Sequence, residues 1–145
     1  MGCDIHIYTE VLRTINGEPK WCNSDHWLVD PYTNLKTEVA EIYEGRSYRL
    51  FALLADIRNG GDIEPLDYPR GMPLDISPQV KEEYDIWDSA GHSHSWFTLK
   101  ELKLAKYALL DEIIDNLETR KRELFWCYKK TEYDEKIRIV FWFDN

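Results

Sequence analysis

Three of the four histidines in this 145-residue chain lie in two short motifs, Asp4-Ile5-His6 and His92-Ser93-His94. Each motif places two imidazole or carboxylate groups two positions apart. On a β-strand this spacing turns both side chains to one face, and in a loop both can turn toward a shared point. Such groups are ligands that zinc, manganese and nickel accept. We therefore expect a divalent metal held by Asp4, His6, His92 and His94, with Asp62 as a further carboxylate.

A metal in such a site would activate water for hydrolysis. The candidate general bases are Asp88, a spare carboxylate beside the second motif, and Glu10, which would share a strand face with Asp4 and His6. Each motif also has a structural interpretation. A His-x-His loop can cap a helix or bond to backbone carbonyl groups, and Asp4 can be a charge that protects a sheet edge.

Arginines and aromatic residues supply candidate contacts for an anionic ligand. Arg70 is the first of these, because an arginine in the Gly- and Pro-rich segment Pro69-Arg70-Gly71 offers a fixed fork to phosphate or carboxylate. Salt bridges to nearby acids are the alternative for each arginine, and burial in the core is the alternative for each aromatic ring. The predicted ligand contacts are Arg70, Arg46, Tyr48, Arg58, Trp96 and Ser95.

Composition limits the partners. The formal net charge of −9 argues against passive binding of long DNA or RNA, which needs a basic face. No apolar run approaches the ~20 residues of a membrane span, and no segment resembles a signal peptide. The expected partner is a small anionic ligand, with a nucleotide as its class. The expected location is the cytoplasm of a bacterial host.

Alternating residues predict the strands that position the first motif. Residues 4–12 alternate between a polar and an apolar face. Asn16-Gly17 predicts a hairpin, with a second strand through Lys20, Trp21 and Cys22. Residues 135–144 alternate again and predict a closing strand antiparallel to the first. Residues 23–45 show no clear pattern.

Helical spacing and capping residues predict the other elements. Ser47 would cap a helix that ends at Asn59-Gly60-Gly61, and Ser77-Pro78 would open a helix that reaches Trp87. Between them, residues 60–78 predict one long ordered loop. Thr98 to Glu101 forms a capping box for a long helix that runs to about Tyr128, with one break. The second histidine motif would lie in a loop before that helix.

These elements predict a single α+β domain over residues 1–145. A small antiparallel sheet would contain the N- and C-terminal strands, helices would pack on one face, and the central loop would be long and ordered.

The chain resembles a family of uncharacterised proteins of bacteriophages and bacteria. The resemblance rests on motifs spread over much of the chain, namely Met1 to His6, Arg46 to Phe51, Arg58 to Gly60, Pro69 to Pro73, and His92 to Trp96. It implies a phage or prophage origin.

The motifs are also similar to those of calcineurin-like metallophosphoesterases. Asp4-Ile5-His6 matches their Asp-x-His, Gly61-Asp62 their Gly-Asp, and Gly91 to His94 their Gly-His-x-His. Their Gly-Asn-His motif has no counterpart here, so the similarity concerns a metal-binding geometry.

Two functions follow as hypotheses. The first is a metal-dependent hydrolase, a phosphodiesterase for a small or cyclic nucleotide, which in a phage could counter a host defence. Here Arg70 would clamp phosphate oxygens. The alternative is a non-catalytic protein that sequesters a signalling nucleotide, with a homo-oligomer interface as the expected place for its buried pocket. A protein inhibitor that mimics nucleic acid is a third, less favoured interpretation.

Overall fold

The structure is a computed structural model that describes residues 2–29, 31–33, 36–125 and 131–144, with the side chains of 26–29 and 36–40 excepted. Within these residues the strands are β1 (Asp4–Ile15), β2 (Glu18–Asn23), β3 (His26–Val29), β4 (Lys36–Ala40), β5 (Gly91–Thr98) and β6 (Ile137–Asp144). The α-helices are α1 (Tyr48–Ala55), α2 (Pro78–Trp87), α3 (Leu99–Ala105) and α4 (Asp111–Phe125).

The main sheet has four antiparallel strands in the order β2-β1-β6-β5, so the first and last strands lie at its centre. Asn16 and Gly17 connect β1 to β2 with φ values of 52° and 82°, and positive φ at both positions is what a type I′ hairpin requires. Strands β3 and β4 form a separate antiparallel pair. The predicted α+β class, with an antiparallel sheet that contains the N- and C-terminal strands, is confirmed.

The larger core lies between the sheet and three helices. β6 contributes Ile137, Ile139, Phe141 and Phe143 to it. Buried residues of α1, α3 and α4 pack against this face, including Phe51, which is fully buried. Ser47 caps α1 by accepting a hydrogen bond from the N–H of Leu50, and Thr98 and Glu101 form the predicted capping box of α3.

Helix α2 packs on the opposite face. Its Val80 forms a smaller buried cluster with Tyr8 of β1 and with Val140 and Trp142 of β6. The prediction of helices on one face therefore describes α1, α3 and α4, and α2 adds a partial layer on the other side. The physical reason is that β6 carries apolar side chains on both of its faces, so other elements must cover both faces.

Two predictions about element placement differ from the structure, and a third is located by it. Helix α1 ends at Ala55 because Asp56 adopts a left-handed conformation, four residues before Gly60. The predicted break of the long helix lies at Lys106, which has φ 58°, and the predicted extension to Tyr128 runs into residues outside the described part. The second histidine motif lies in strand β5 and not in a loop.

The long central segment is ordered by backbone hydrogen bonds. Residues 56–77, all of them described, contain no helix or strand. The N–H of Leu66 donates to the carbonyl of Leu53 at 2.7 Å, and the N–H of Gly71 donates to the carbonyl of His94 at 2.8 Å. The second of these bonds joins the loop to the edge strand that carries the histidines.

Candidate ligand-binding site

A β-bulge in β5 separates the two histidines of the His-x-His motif. The register with β6 shifts between His92 and Ser95, and Ser93 has φ 56°. His92 pairs with Phe143, which belongs to the helix-side core, whereas the ring of His94 lies 5.8 Å from that of Trp142 on the α2 side. The extra residue of a bulge turns the strand between them, so the two imidazoles lie toward different faces.

His94 instead shares a face with His6. His6 pairs with Trp142 across β1 and β6, with ring centroids 6.5 Å apart. Helix α2 covers both histidines, because the ring of Trp87 lies 4.0 Å from His6 and that of Tyr84 lies 5.0 Å from His94. We call these five residues the aromatic cluster. The structure thus brings together one histidine from each sequence motif, with an indole between them.

Charged side chains lie beside His6, at one end of the aromatic cluster. His6 Nε2–H donates to Asp144 Oδ2 at 2.8 Å, and the backbone N–H of Asp4 donates to Asp144 Oδ1 at 3.3 Å. The carboxylate of Asp4 binds the guanidinium of Arg46 at 2.7 Å, and half of each side chain is exposed. A Cβ on Gly2 would overlap that guanidinium, so a larger residue there would displace the Arg46 side chain.

The predicted metal ligands are not assembled by this arrangement. Asp4 pairs with Arg46, His6 binds Asp144, and His92 and His94 lie toward different faces. Asp62 lines a separate groove of about 120 Å³. In the described part of the chain, no three His, Cys, Asp or Glu side chains are grouped so that they could hold a metal ion. The predicted set of five metal ligands is therefore wrong, because the structure does not group these residues at one point.

The two predicted general bases have other positions. Glu10 is fully buried, and its carboxylate accepts hydrogen bonds from the N–H of Ser77 at 2.6 Å and from Nε of Arg138 at 2.8 Å. Because both oxygens are occupied, Glu10 holds β1, β6 and the start of α2 together. Asp88 is exposed at the end of α2, where φ 44° and ψ −125° turn the chain into the histidine strand.

Arg70 is bound within the protein. Its guanidinium donates to both oxygens of Glu101 at 2.6 and 3.1 Å, to Asp67 at 3.0 Å and to the carbonyl of Trp96 at 3.1 Å. Its backbone N–H donates to Oγ of Ser95 at 3.1 Å. Arg70, Ser95 and Trp96, three of the predicted ligand contacts, therefore brace the loop against β5 and α3. These contacts agree with the alternative that Arg70 forms salt bridges to nearby acids.

Tyr48 and Arg58 lie near the start of β1, as Arg46 does. The Tyr48 hydroxyl accepts a hydrogen bond from the backbone N–H of Cys3 at 3.3 Å, and the Arg58 guanidinium lies 5.1 Å from the Tyr48 ring centroid. Burial raises the pKa of the Cys3 thiol, which the nearby Arg58 guanidinium partly opposes. The other three predicted ligand contacts thus gather around residues 2–4.

Two buried nitrogens belong to the aromatic cluster, and of their two residues only His94 was a candidate from the sequence. Trp142 Nε1 and His94 Nε2 have no hydrogen-bond partner in the described structure. Burial, and then the proximity of His92, lower the pKa of His94, which favours its neutral form. Trp142 follows the apolar alternation of β6, so no sequence signal marked its indole as a polar contact.

A group of carboxyl residues around Glu41 was also not identified. The pKa of Glu41 is raised to about 7, mainly by burial and then by Glu44, Asp25 and Glu83. The Tyr8 hydroxyl donates to Glu83 at 3.5 Å, and burial followed by Glu83 raises the pKa of Tyr8. Glu41 lies in a stretch without a clear sequence pattern.

No protein-family model matches the chain, and no curated protein or solved structure is significantly similar to it. The resemblance to the phage and bacterial family stays a prediction. In the described part of the chain, no helix has the length and apolarity that crossing a membrane requires.

Proposed function

We propose that the protein binds a small anionic ligand, with a nucleotide as its class, and that binding needs no metal ion. One observation carries this proposal: the tilted rings of His6 and Trp87, whose centroids are 4.0 Å apart, lie at the end of a contact chain that leads to the half-exposed Arg46. That chain runs through Asp144 and Asp4. Aromatic rings suit contact with a nucleobase, and a guanidinium suits phosphate oxygens.

The acidic groups at this position do not prevent anion binding, because each already has a partner. Asp144 accepts from His6, and Asp4 is paired with Arg46. An exposed ion pair of this kind contributes little to stability, because solvent screens it. A phosphate group can therefore compete with Asp4 for Arg46 at small cost, and a charge-assisted, bidentate contact would be stronger than the pair it replaces.

A second candidate function keeps the hydrolase hypothesis without the metal. The 2.8 Å contact between His6 and Asp144 is the kind of histidine–carboxylate pair in which the carboxylate orients the imidazole as a general base. The same site would then hydrolyse a phosphodiester of a small nucleotide. The fate of the ligand separates the two candidates, since a binding protein returns it intact.

The test is calorimetric titration of chelator-treated protein with 5′-AMP, 3′,5′-cyclic AMP and adenosine. We expect both nucleotides to bind and adenosine to bind at least tenfold more weakly, because it lacks the phosphate. Arg46→Gln should weaken nucleotide binding about tenfold, as the loss of one charge-assisted contact predicts. Arg122→Gln, at an exposed position of α4, is the matched control and should bind as wild type.

Equal affinity for adenosine and the nucleotides, or no effect of Arg46→Gln, would contradict the proposal. Chromatography of the recovered ligand then decides between the candidates. Intact nucleotide supports sequestration, whereas a product that is absent with His6→Ala supports hydrolysis.

A further inference from the structure

The indole of Trp142 restricts what can bind beside it. Trp142 has no exposed surface, and its Nε1–H lacks an acceptor in the described structure. An indole nitrogen only donates, so an acceptor atom alone can satisfy it. Leaving such a donor buried and unpaired costs free energy. A group that relieves this cost must therefore present an oxygen with a free lone pair.

Gly91 brings the backbone close to this donor and to a second nitrogen. A Cβ on Gly91 would lie 3.0 Å from Trp142 Cδ1, 3.5 Å from Trp142 Nε1 and 3.4 Å from His94 Nε2. Gly91 has φ −89° and ψ 145°, which any residue adopts, so its backbone conformation does not require glycine. The absence of a side chain instead leaves both nitrogens facing the same small space.

His94 can serve the same acceptor as Trp142. Its Nε2 is buried and unpartnered, and a neutral imidazole carries its hydrogen on either nitrogen. In the Nε2–H form, two N–H donors converge above Gly91. Converging donors in a dry environment are the arrangement that stabilises an anionic oxygen.

We propose that Gly91, His94 and Trp142 form a subsite for one anionic oxygen, of a phosphoryl or carboxyl group, belonging to the bound ligand. This inference rests on the proposed binding function and adds the group by which the ligand is recognised. Both nitrogens are closed off in the structure, so the oxygen enters when His94 moves away from Trp142. His94 lies on an edge strand beside the bulge at Ser93. A rotation of its side chain leaves the backbone hydrogen bond from Gly71 in place and breaks the ring contacts with Tyr84 and Trp142.

The test follows the indole N–H of Trp142 by ¹H–¹⁵N NMR, with its signal assigned through the loss in Trp142→Phe. Inorganic phosphate, acetate, 5′-AMP and adenosine are the probes. We expect the Trp142 signal to shift with 5′-AMP and with phosphate or acetate, and to stay in place with adenosine. The acetate and phosphate titrations show which oxyanion the subsite prefers.

Gly91→Ala should abolish this shift or weaken the apparent affinity at least tenfold, because its methyl group fills the space. Gly60→Ala is the matched control, since a Cβ there meets only Asp62, at 3.8 Å, and it should behave as wild type. If 5′-AMP moves other signals but never that of Trp142, a trapped water alone satisfies the indole and the subsite is wrong while the binding function stands. If no probe moves any signal, both proposals fail.

Discussion

Glu41 is a single side chain whose surroundings make folding stability depend on pH. Its pKa is raised to about 7 by burial and by Glu44, Asp25 and Glu83, so the folded state keeps a proton that the unfolded chain loses near pH 4.5. This contribution to stability is complete below that pH and is lost as pH rises through about 7.

Glu41→Gln should remove that loss. Between pH 5 and pH 8, the wild type should lose about 1–2 kcal/mol more of its free energy of unfolding than the variant, a figure reduced because the side chain is partly exposed. Urea unfolding at the two pH values measures this difference. The exposed Glu64→Gln should leave the wild-type dependence unchanged, and an equal pH dependence in Glu41→Gln and wild type would contradict the burial of Glu41.

Glu10 and Arg138 form a buried ion pair, at 2.7 Å, whose side chains are 0% and 3% exposed. Glu10→Ala should lower the free energy of unfolding by about 3–5 kcal/mol, because it leaves Arg138 buried without its main partner. The double change Glu10→Ala/Arg138→Met should recover part of this loss. Denaturant unfolding of the three variants checks both statements. If Glu10→Ala lowers the free energy of unfolding by less than about 1 kcal/mol, the buried pair does not stabilise the fold, and Glu10 is again a candidate general base.

At the scale of single residues, part of the candidate site could be predicted from the sequence. The alternation of β1 correctly placed Asp4 and His6 on one face, because strand periodicity is local. Their partners could not be identified in the same way. Asp144 lies 138 residues from His6, and Arg46 lies 42 residues from Asp4, so only the tertiary fold selects them.

At the scale of elements, the bulge in β5 decides which histidine reaches the aromatic cluster. A strand of regular register would keep His92 and His94 on one face. Ser93, at φ 56°, breaks that relation. None of the residues from His92 to Ser95 is of a type that predicts a positive φ. This is the physical reason that the predicted pair of histidine ligands is wrong.

The bulge gives a prediction of its own. Ser93→Gly should be tolerated, whereas Ser93→Val should be less stable than Ser93→Gly by about 1–3 kcal/mol, because a β-branched residue is strained at positive φ. Thermal unfolding of the two variants measures the difference. Equal stability would mean that residue 93 does not hold a left-handed conformation in solution.

Most helices and strands could be predicted where a local rule applied. Asn16-Gly17, Ser47, Ser77-Pro78 and the Thr98 capping box each mark an element boundary that the structure contains. Local rules failed where a single left-handed residue ended a helix, as at Asp56 and Lys106. They also gave no signal for β3 and β4.

At the scale of the whole molecule, the net charge of −9 and the mixed charges at the end of the sheet favour a small ligand over a long polyanion. A long nucleic acid would meet the repulsion of the entire surface. A small nucleotide needs only the local guanidinium, the aromatic rings and the proposed oxygen subsite. The proposed recognition groups come from β1, β5, β6 and α2, and from Arg46 in the segment before α1.

The most direct test is the thermal unfolding midpoint of chelator-treated protein with and without 5′-AMP. A ligand that binds only the folded state stabilises it by about 2.7 kcal/mol at a free concentration of one hundred times Kd. We predict a rise of several degrees with 5′-AMP, a smaller rise with adenosine at the same concentration, and the same values after metal is added back. A midpoint that rises only when a divalent metal is present, or that 5′-AMP never changes, would contradict metal-independent binding of a small anion.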